Sequence, residues 1–408
     1  MEAEAVILER LETLARISEE PGRLTRTFGS PAMRRANEQV QSWMQQAGMN
    51  ASVDEVGNLI GRFAGPAADS RILLLGSHLD TVRDAGKFDG ALGVILSIAC
   101  VEKIRQMKRA LPFGIHVISF ADEEGVRFQK SHLGSRVFIN QFDPADLALV
   151  DSNGITLAGA IQDGGGDPSR LPSRHAVAEN YIGYIEPHIE QGPVLEENGL
   201  AVGVVTGIAG QTRARITFTG RPGHAGTTPM SSRRDALCGA AEFILETEQY
   251  ARQHPGLVAT VGQIAAEPNV SNVIPGACWV TLDVRHQNDS VRLNFFKDLT
   301  PLFARLEKQR GLKIEAQVVQ QTESVPCSAE LSDLLREAAR QRQAGIMDLP
   351  SGAGHDAAIV ARIIPMAMLF IRCAGGISHH PDESVRAGDV RVALEVLTDF
   401  ILLLADRL

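Results

Sequence analysis

Apolar residues occur in two different patterns along the chain. Short unbroken apolar runs such as "RILLLGS" (71–77), "GIHVISF" (114–120) and "MAMLFIRC" (366–373) predict buried strands, and the stretches 91–109 and 388–406 predict helices. Buried strands that alternate with helices are typical of an α/β domain with a mostly parallel sheet. The first half of the chain and its C-terminal part are therefore predicted to form one such domain.

The second pattern alternates apolar and polar residues. "TRARITFTG" (212–220) and "CWVTLDVRH" (278–286) read as half-buried strands. Together with two helical stretches and the strands "LVATVGQIA" and "LKIEAQVVQ", they give the order β-α-β-β-α-β, which is the split βαβ arrangement. We therefore predict an inserted α+β domain at 208–324, and a catalytic domain formed by residues 1–207 and 325–408.

Composition and charge exclude several classes of protein. The 408 residues are 44% hydrophobic and 22% charged, as in a globular protein, and the net charge of -9 argues against nucleic-acid or anionic-membrane partners. The apolar stretch "AIVARIIPMAMLFI" contains Arg362 and Pro365, so no membrane span is predicted, and the N-terminal stretch lacks the features of a signal peptide. Five scattered cysteines without a CxxC pair predict reduced thiols and a cytoplasmic location.

Five polar clusters punctuate the α/β part of the chain. They are "GSHLD" (76–80), "KFDG" (87–90), "ADEEG" (121–125), "EPHIEQG" (186–192) and "GGISHHPDE" (375–383). A single histidine or aspartate at a strand end is most often a cap or turn residue. Imidazole and carboxylate together, however, are the ligands of divalent zinc, manganese or cobalt, and ligands of α/β sheets bind beyond the carboxyl ends of strands. We therefore predict that the clusters converge on two cations with one bridging carboxylate.

The adjacent acids Glu123 and Glu124 suggest a division of labour. Adjacent side chains of a strand point opposite ways, so one carboxylate could bind a cation while the other accepts a proton from water. The alternative is that both glutamates begin the following helix, where negative charge is favoured.

The predicted inserted domain adds three candidate residues. His224 lies in the Gly/Pro loop "GRPGHAGTTPM", and Asn272 and Arg285 lie near strand ends. Arg285 suits a bidentate contact with a carboxylate, although a surface strand residue is an equal alternative. "SGAGHDA" (351–357) is a glycine-rich turn whose free amides could hold an oxyanion or a carboxylate. No GxSxG, P-loop or GxGxxG motif supports a serine hydrolase or a nucleotide-binding protein.

Taken as a set, the motifs resemble one known family. "GSHLDTV", "FDG", "DEEG", "HIEQG", "GHAGTTPM", "NVIPG", "SGAGHDA" and "SHHPDE" stand in the order found in the amidase/hydantoinase/carbamoylase family of dinuclear metal-dependent amidohydrolases. The resemblance covers nearly the whole chain. It implies a metallopeptidase-like catalytic domain with an inserted, ferredoxin-like dimerisation and lid domain.

The resemblance also implies roles for individual residues. Two divalent cations, Zn²⁺ or Mn²⁺, would be bound by His78, Asp89, Glu124, His188 and His379, with Asp89 bridging them. Asp80 would orient His78, and Glu123 would be the general base, which also protonates the leaving nitrogen. In this family the histidine of "GHAG" reaches the active site of the other subunit and steadies the developing negative charge, so His224 implies a homodimer. The carboxylate and ureido group of the substrate would be held by Gln191, Asn272, Arg285, Gly354 and His355.

The reaction implied by the family is hydrolysis of a linear ureido or carbamoyl C–N bond. "GIAGQTR" (207–213) resembles members that act on allantoate and ureidoglycolate, whereas "SHHPDE" is more similar to members that act on N-carbamoyl-L-amino acids. We predict allantoate, converted to ureidoglycine, ammonia and carbon dioxide. The alternatives are an N-carbamoyl-L-amino acid, ureidoglycolate, and a di-metal dipeptidase or aminoacylase activity. A non-catalytic binder is disfavoured because every implied ligand and the base are present.

Overall fold

The computed structural model describes residues 2–171 and 180–408, which form sixteen strands and eleven α-helices. In chain order these are α1 (Ala3–Ala15), α2 (Pro31–Gln46), β1 (Asn50–Val53), β2 (Leu59–Phe63), β3 (Ile72–His78), α3 (Ala91–Gln106), β4 (Gly114–Phe120), α4 (Leu133–Phe138), α5 (Leu157–Asp163), β5 (Tyr181–Ile189), α6 (Val194–Glu197), β6 (Val202–Ile208), β7 (Gly210–Thr219), β8 (Gly223–His224), α7 (Ala236–Gln253), β9 (Val258–Thr260), β10 (Ile264–Glu267), β11 (Val273–Ile274), β12 (Ala277–His286), α8 (Asp289–Arg310), β13 (Lys313–Thr322), β14 (Val325–Pro326), α9 (Ala329–Gln341), β15 (Ile346–Ser351), α10 (Asp356–Val360), β16 (Met366–Ile371) and α11 (Ala387–Arg407). No helix of the described ranges is long and apolar enough to cross a membrane.

The chain divides into two compact units. The larger unit comprises Met1–Thr206, Cys327–Leu349 and Ala353–Leu408, and the smaller unit comprises Gly207–Pro326 and Pro350–Gly352. The sequence assigned residues 350–352 to the catalytic domain, and the structure places them in the smaller unit. The reason is hydrogen bonding: the Ala209 amide donates to the carbonyl of Ser351 (2.8 Å), and the Arg285 guanidinium donates to the carbonyl of Gly352 (2.7 Å).

The larger unit is built on a mixed sheet with the strand order β1-β2-β4-β3-β5-β16-β6. The four central strands β4, β3, β5 and β16 are parallel, and the flanking strands are antiparallel. Because helices cover the central strands, these strands are apolar on both faces, and Ile72–His78 is buried almost throughout. The predicted α/β fold with a mostly parallel sheet is confirmed for the centre of this unit.

Carboxyl ends of the central strands line up at one edge of the sheet. His78 at the end of β3 is opposite Phe120 at the end of β4, and His188 on β5 is opposite Phe370 on β16. The residues that follow these four ends therefore meet in one place.

The smaller unit contains an antiparallel sheet with the order β10-β12-β7-β13, with β9 also paired to β12. Even-numbered residues of β7 and β12 are buried beneath α7 and α8, and the odd-numbered residues form the opposite face. Asp235 caps α7 through the Cys238 amide, and Gly311 ends α8 in the left-handed conformation. The predicted β-α-β-β-α-β order is confirmed, with "LVATVGQIA" broken into two short strands.

Candidate metal centre and substrate-binding groups

Asp89 lies between two groups of potential metal ligands. Its Oδ1 is 3.1 Å from His188 Nε2 and 3.7 Å from His78 Nε2. Its Oδ2 is 3.0 Å from His379 Nε2, which in turn is 3.7 Å from Glu124 Oε1. Two ligands bound at about 2.0–2.1 Å to a tetrahedral ion lie roughly 3.3 Å apart, so these spacings suit metal coordination. One carboxylate thus faces two ligand sets, His78 with His188, and Glu124 with His379.

Backbone hydrogen bonds orient the two buried histidines. His78 Nδ1 lies 3.0 Å from the carbonyl of Asp80, and His188 Nδ1 lies 2.8 Å from the carbonyl of Ile189. Each contact needs a proton on Nδ1, so the neutral ring has its lone pair on Nε2, the nitrogen that faces Asp89. This tautomer is the one that a metal-binding histidine requires.

Two glycines bring the start of α3 against these histidines. Gly90 has a φ of 62°, and a Cβ at this position would lie 2.4 Å from His78 Nε2. A Cβ at Gly93 would lie 2.1 Å from the carbonyl oxygen of Pro187. A side chain at residue 90 would therefore fill the space in front of the His78 ligand atom.

The turn after β4 sends Glu123 and Glu124 to different partners. Glu124 joins Asp89 and His379, whereas Glu123 Oε1 is 3.3 Å from His132 Nδ1. Helix α4 begins only at Leu133, so the alternative in which both glutamates open the next helix is wrong.

Asp80 supports this turn with its carboxylate. Its two oxygens accept the backbone N–H groups of Glu123 (3.2 Å) and Glu124 (3.1 Å). The carboxylate is 3.8 Å from His78 Nδ1, and the carbonyl of Asp80 makes the hydrogen bond to that ring. The predicted orientation of His78 by Asp80 thus occurs through the backbone, and the side chain orients the two glutamates.

Burial and the clustering of carboxylates change the acidity of these groups. Burial and then the charge of Glu124 raise the pKa of Glu123 well above its usual value. Burial and the charge of Asp89 raise the pKa of Glu124 to about 7. Contact with Asp89 raises the pKa of His379 to about 9, and the same carboxylate, opposed by burial, raises that of His188 to about 9. Without a cation, the histidines therefore hold protons that compensate the carboxylates.

Four residues near the site, Glu383, Ser135, Asp356 and His132, were missed from the sequence. Buried Glu383 accepts the amides of Phe88 (2.8 Å) and Asp89 (3.1 Å) and the hydroxyl of Ser378 (2.9 Å), so it ties two ligand-bearing loops together. The hydroxyl of Ser135 donates to buried Asp356 Oδ1, which is 3.7 Å from His132 Nδ1.

Usable signals existed for Glu383, which ends the "SHHPDE" cluster, and for Asp356, which lies in "SGAGHDA". His132 lies outside the five clusters and reaches Glu123 only because the chain folds back, with its amide donating to the carbonyl of Glu123 (3.0 Å).

The structure distinguishes the two histidines of "SHHPDE". His379 has a φ of 56°, and its Nε2 lies 3.0 Å from Asp89 Oδ2, whereas His380 Nδ1 lies 3.5 Å from Asp382. Gln191 donates to Asp89 Oδ2 (3.0 Å) and to Ser378 (3.1 Å), so this predicted substrate ligand lies directly beside the centre.

The glycine-rich turn also reaches the same region. His355 is buried, and its ring centroid is 4.5 Å from that of His188. Burial and the neighbouring His188 hold the pKa of His355 well below its usual range, so this ring is neutral. A Cβ on Gly354 would lie 3.5 Å from His132 Nε2, which places this glycine beside the Glu123 side of the site.

The smaller unit separates its three candidate residues. His224 on β8 pairs with Val273 on β11, next to exposed Asn272, whose carbonyl accepts the Ala225 amide (2.9 Å). The amides of Gly226 (3.0 Å) and Thr227 donate to His224 Nδ1, so its proton is on Nε2.

Arg285 lies at the other end of this unit. It pairs with Gln211 at the start of β7, whereas the strand pair at the β8 side is Ala277 with Thr219. The eight residue steps from Ala277 to Arg285 span about 27 Å of strand. The sequence analysis gave both Asn272 and Arg285 a role in holding the substrate, and this separation does not support contact of both with one small substrate from a single copy of the smaller unit.

Residues 74–403 match the family described as peptidase family M20/M25/M40. The chain belongs to this family, and its clustered imidazole and carboxylate ligands fit the metal dependence of such enzymes.

Individual relatives narrow the class further. The chain is 40% identical to a probable allantoate deiminase of Oryza sativa subsp. japonica, over 96% of this chain and 87% of that protein. It is 39% identical to an N-carbamoyl-L-amino acid amidohydrolase of Geobacillus stearothermophilus, over 95% of both. The crystal structure of an amidase of the hydantoinase/carbamoylase family from Burkholderia multivorans superposes with a TM-score of 0.92 at 32% identity over 98% of both chains. The predicted family is confirmed, and the protein is a metal-dependent amidohydrolase.

Proposed function

We propose that this enzyme hydrolyses a ureido C–N bond of allantoate, giving ureidoglycine, ammonia and carbon dioxide. The observation that carries the proposal is the position of Asp89 between two ligand sets, in a chain similar to a probable allantoate deiminase over nearly its whole length. An N-carbamoyl-L-amino acid is the second candidate, supported by the 39% identical relative named for that substrate. Both molecules carry a carboxylate next to an N-carbamoyl group.

The proposed centre holds two divalent cations, Zn²⁺ or Mn²⁺. His78 and His188 would hold one, Glu124 and His379 the other, and Asp89 would contact both. Bound in this way, the cations supply Lewis acidity for the ureido carbonyl and for a water nucleophile. Gln191 hydrogen-bonds Asp89 and is close enough to contact a substrate at the same place.

Glu123 is proposed to move the proton. Its burial and its raised pKa suit a group that accepts a proton from water and then delivers it to the leaving nitrogen. His132, 3.3 Å away, and the Asp80 carboxylate, which accepts the Glu123 amide, would hold this side chain in place.

His224 and Asn272 are proposed to act from a second copy of the chain. Both are exposed, and His224 presents an Nε2–H group that can stabilise an oxyanion. Arg285, near the last residue of β12, is proposed to bind the carboxylate of the substrate in the active site of its own subunit. A homodimer would supply both groups to one substrate, which one copy of the smaller unit does not. The five free cysteines support a cytoplasmic location for this assembly.

A substrate panel tests the proposal. The Mn²⁺- and Zn²⁺-loaded enzyme is given allantoate, ureidoglycolate, N-carbamoyl-L-methionine and a dipeptide, and released ammonia or amine is measured, with chelator-treated enzyme as the control. We expect the highest kcat/KM for allantoate and no turnover after chelation. Turnover of the dipeptide alone would overturn the proposed function.

A further inference from the structure

One imidazole of the larger unit faces two buried carboxylates. His132 Nδ1 lies 3.3 Å from Glu123 Oε1 and 3.7 Å from Asp356 Oδ1. The Asp356 side chain is fully buried, and only 16% of the His132 side chain is exposed to solvent. Because water is largely excluded here, the interactions among these three polar groups are stronger than they would be at the surface.

The contact with Glu123 limits how its carboxyl group can turn. A carboxylate oxygen and an imidazole nitrogen approach this closely when one proton lies between them, carried by either atom. The contact uses Oε1 of Glu123, which leaves Oε2 for the water that the proposed reaction consumes. His132 thus favours one orientation of the proposed base.

The backbone of His132 is arranged for this contact. Its φ is 61°, a conformation that few residues other than glycine adopt. His132 precedes α4 as the N-cap residue, yet its side chain makes no capping hydrogen bond, which is the usual reason for a polar residue at that position. Its amide donates to the carbonyl of Glu123 (3.0 Å), so the loop lies against the base.

Asp356 is itself held in place from two directions. The hydroxyl of Ser135 donates to its Oδ1. The amide of the next residue, Ala357, donates to Glu186 Oε2 (3.0 Å), and the hydroxyl of Ser77 donates to Glu186 Oε1 (3.0 Å). Because Glu186 lies on β5, the turn that carries Asp356 is anchored to the parallel strands of the sheet.

This same turn carries two of the proposed substrate-binding groups. Gly354 and His355 immediately precede Asp356, and a Cβ on Gly354 would lie 3.5 Å from His132 Nε2. The imidazole therefore lies between the turn and the proposed base.

We propose that Asp356, acting through His132, orients Glu123, so that the turn that holds the substrate also positions the base. Asp356 and His132 are positioning residues in this proposal, since they act through Glu123 and not on the reacting atoms. The inference rests on the proposed function, in which Glu123 moves the proton.

Two substitutions of His132 test the proposal, assayed with the best substrate of the panel. His132→Phe keeps a ring but no hydrogen bond, whereas His132→Asn places an amide nitrogen close to the position of Nδ1. We expect His132→Phe to lower kcat by roughly 10- to 100-fold with little change in KM, and His132→Asn to retain most of the activity. The cation content should not change, because His132 is outside the groups of potential metal ligands. The matched control is Ser131→Ala in the same loop, which should leave kcat unchanged.

A double variant tests whether Asp356 acts through His132. Asp356→Asn keeps the size of the side chain and an oxygen that can accept from Ser135, but it removes the negative charge. We expect this substitution to lower kcat in the native background and to have no further effect in His132→Phe. Losses that multiply in the double variant would show that Asp356 acts independently of His132 and would overturn the proposed route.

The outcomes distinguish this inference from the proposed role of Glu123. If Glu123→Gln is inactive while His132→Phe leaves kcat unchanged, raises only KM or loses cations, the inference is wrong and the role of Glu123 stands. Equal losses in His132→Phe and His132→Asn would also overturn the inference, because the hydrogen bond would then not be what orients the base. If Glu123→Gln retains turnover, both are wrong. Circular dichroism of each variant verifies that the change in kcat is not a folding defect.

Discussion

The larger unit gathers its predicted functional residues, whereas the smaller unit separates them. Parallel strands end at a common edge, so His78 and His188, on strands far apart in the sequence, come within reach of Asp89. Antiparallel strands end at both edges, so Arg285 lies near the last residue of β12, whereas His224 lies on β8, which follows the Thr219–Ala277 pair at the first residue of β12. The ligand residues of the larger unit can therefore form a complete centre within one chain. The separated residues of the smaller unit fit a site that a second chain completes.

The largest effect on activity is expected from a substitution at the proposed metal centre of the larger unit. Glu123→Gln removes the group proposed to move the proton, and we expect kcat to fall by about 10³-fold, within the range typical of general bases. The cation content measured by mass spectrometry should not change, because Glu123 contacts His132 and not the Asp89 cluster.

Glu124→Gln is the matched control for this prediction. Glu124 belongs to the group formed with Asp89 and His379, so its replacement should lower the cation content as well as the rate. If Glu123→Gln loses a cation and Glu124→Gln retains both, the two assignments are exchanged.

Mixing of subunits tests whether His224 acts in the active site of the partner subunit. The His224→Ala and Glu123→Gln variants are each expected to be nearly inactive. If His224 acts on the partner subunit, a mixed dimer contains one site in which both Glu123 and His224 are native. Random reassociation of equal amounts should then restore roughly a quarter of the wild-type activity. No recovery would contradict the action of His224 across the dimer.

Arg285→Gln mixed with Glu123→Gln provides the opposite case. If Arg285 serves its own subunit, no site in the mixed dimer has both native groups, and activity should stay low. Recovery of activity in this mixture would place Arg285 with His224 in the partner's site.

The smallest effect concerns the pH dependence of stability in the metal-free protein. The pKa values of His188 and His379 are raised to about 9, from about 6.5 in an unfolded chain. Protonation thus stabilises the folded state fully below about pH 6.5, and this contribution is lost as the pH rises through 9. We expect the Tm of chelator-treated protein to fall between pH 7 and 9, and added Mn²⁺ to remove much of that fall.

His379→Gln and exposed His380→Gln separate this contribution from general charge effects. The first variant should flatten the pH profile, whereas the second should not, because His380 is exposed and pairs with Asp382 at the surface. A Tm that is equally pH-dependent in both variants would contradict the assignment.

Sequence reasoning predicted the larger unit better than the smaller one, for a physical reason. Four of the five polar clusters lie at the end of an apolar run, and the end of a buried strand can be read from the sequence, whereas "KFDG" follows the first of these clusters in the same loop. The roles of Glu383 and His132 depend on loops that fold back, which no periodicity reports. The separation of Asn272 from Arg285 depends on strand register, which becomes visible only once β12 is paired with β7.

The two functions of Asp80 show the same limit. Its position beside His78 indicated a contact with that ring, and the contact exists through the carbonyl. The carboxylate instead accepts the amides of Glu123 and Glu124, which lie more than forty residues further along the chain. Spacing identifies a neighbour in sequence, but only the fold determines which atom of a residue is used.

The central claim is that one carboxylate, Asp89, joins two cation positions. Anomalous scattering from a crystal of the Mn²⁺-loaded protein tests it most directly. The account predicts two peaks per chain, one beside His78 and His188 and the other beside Glu124 and His379, with an oxygen of Asp89 bound to each. A single peak, or two peaks that do not share Asp89, would contradict it.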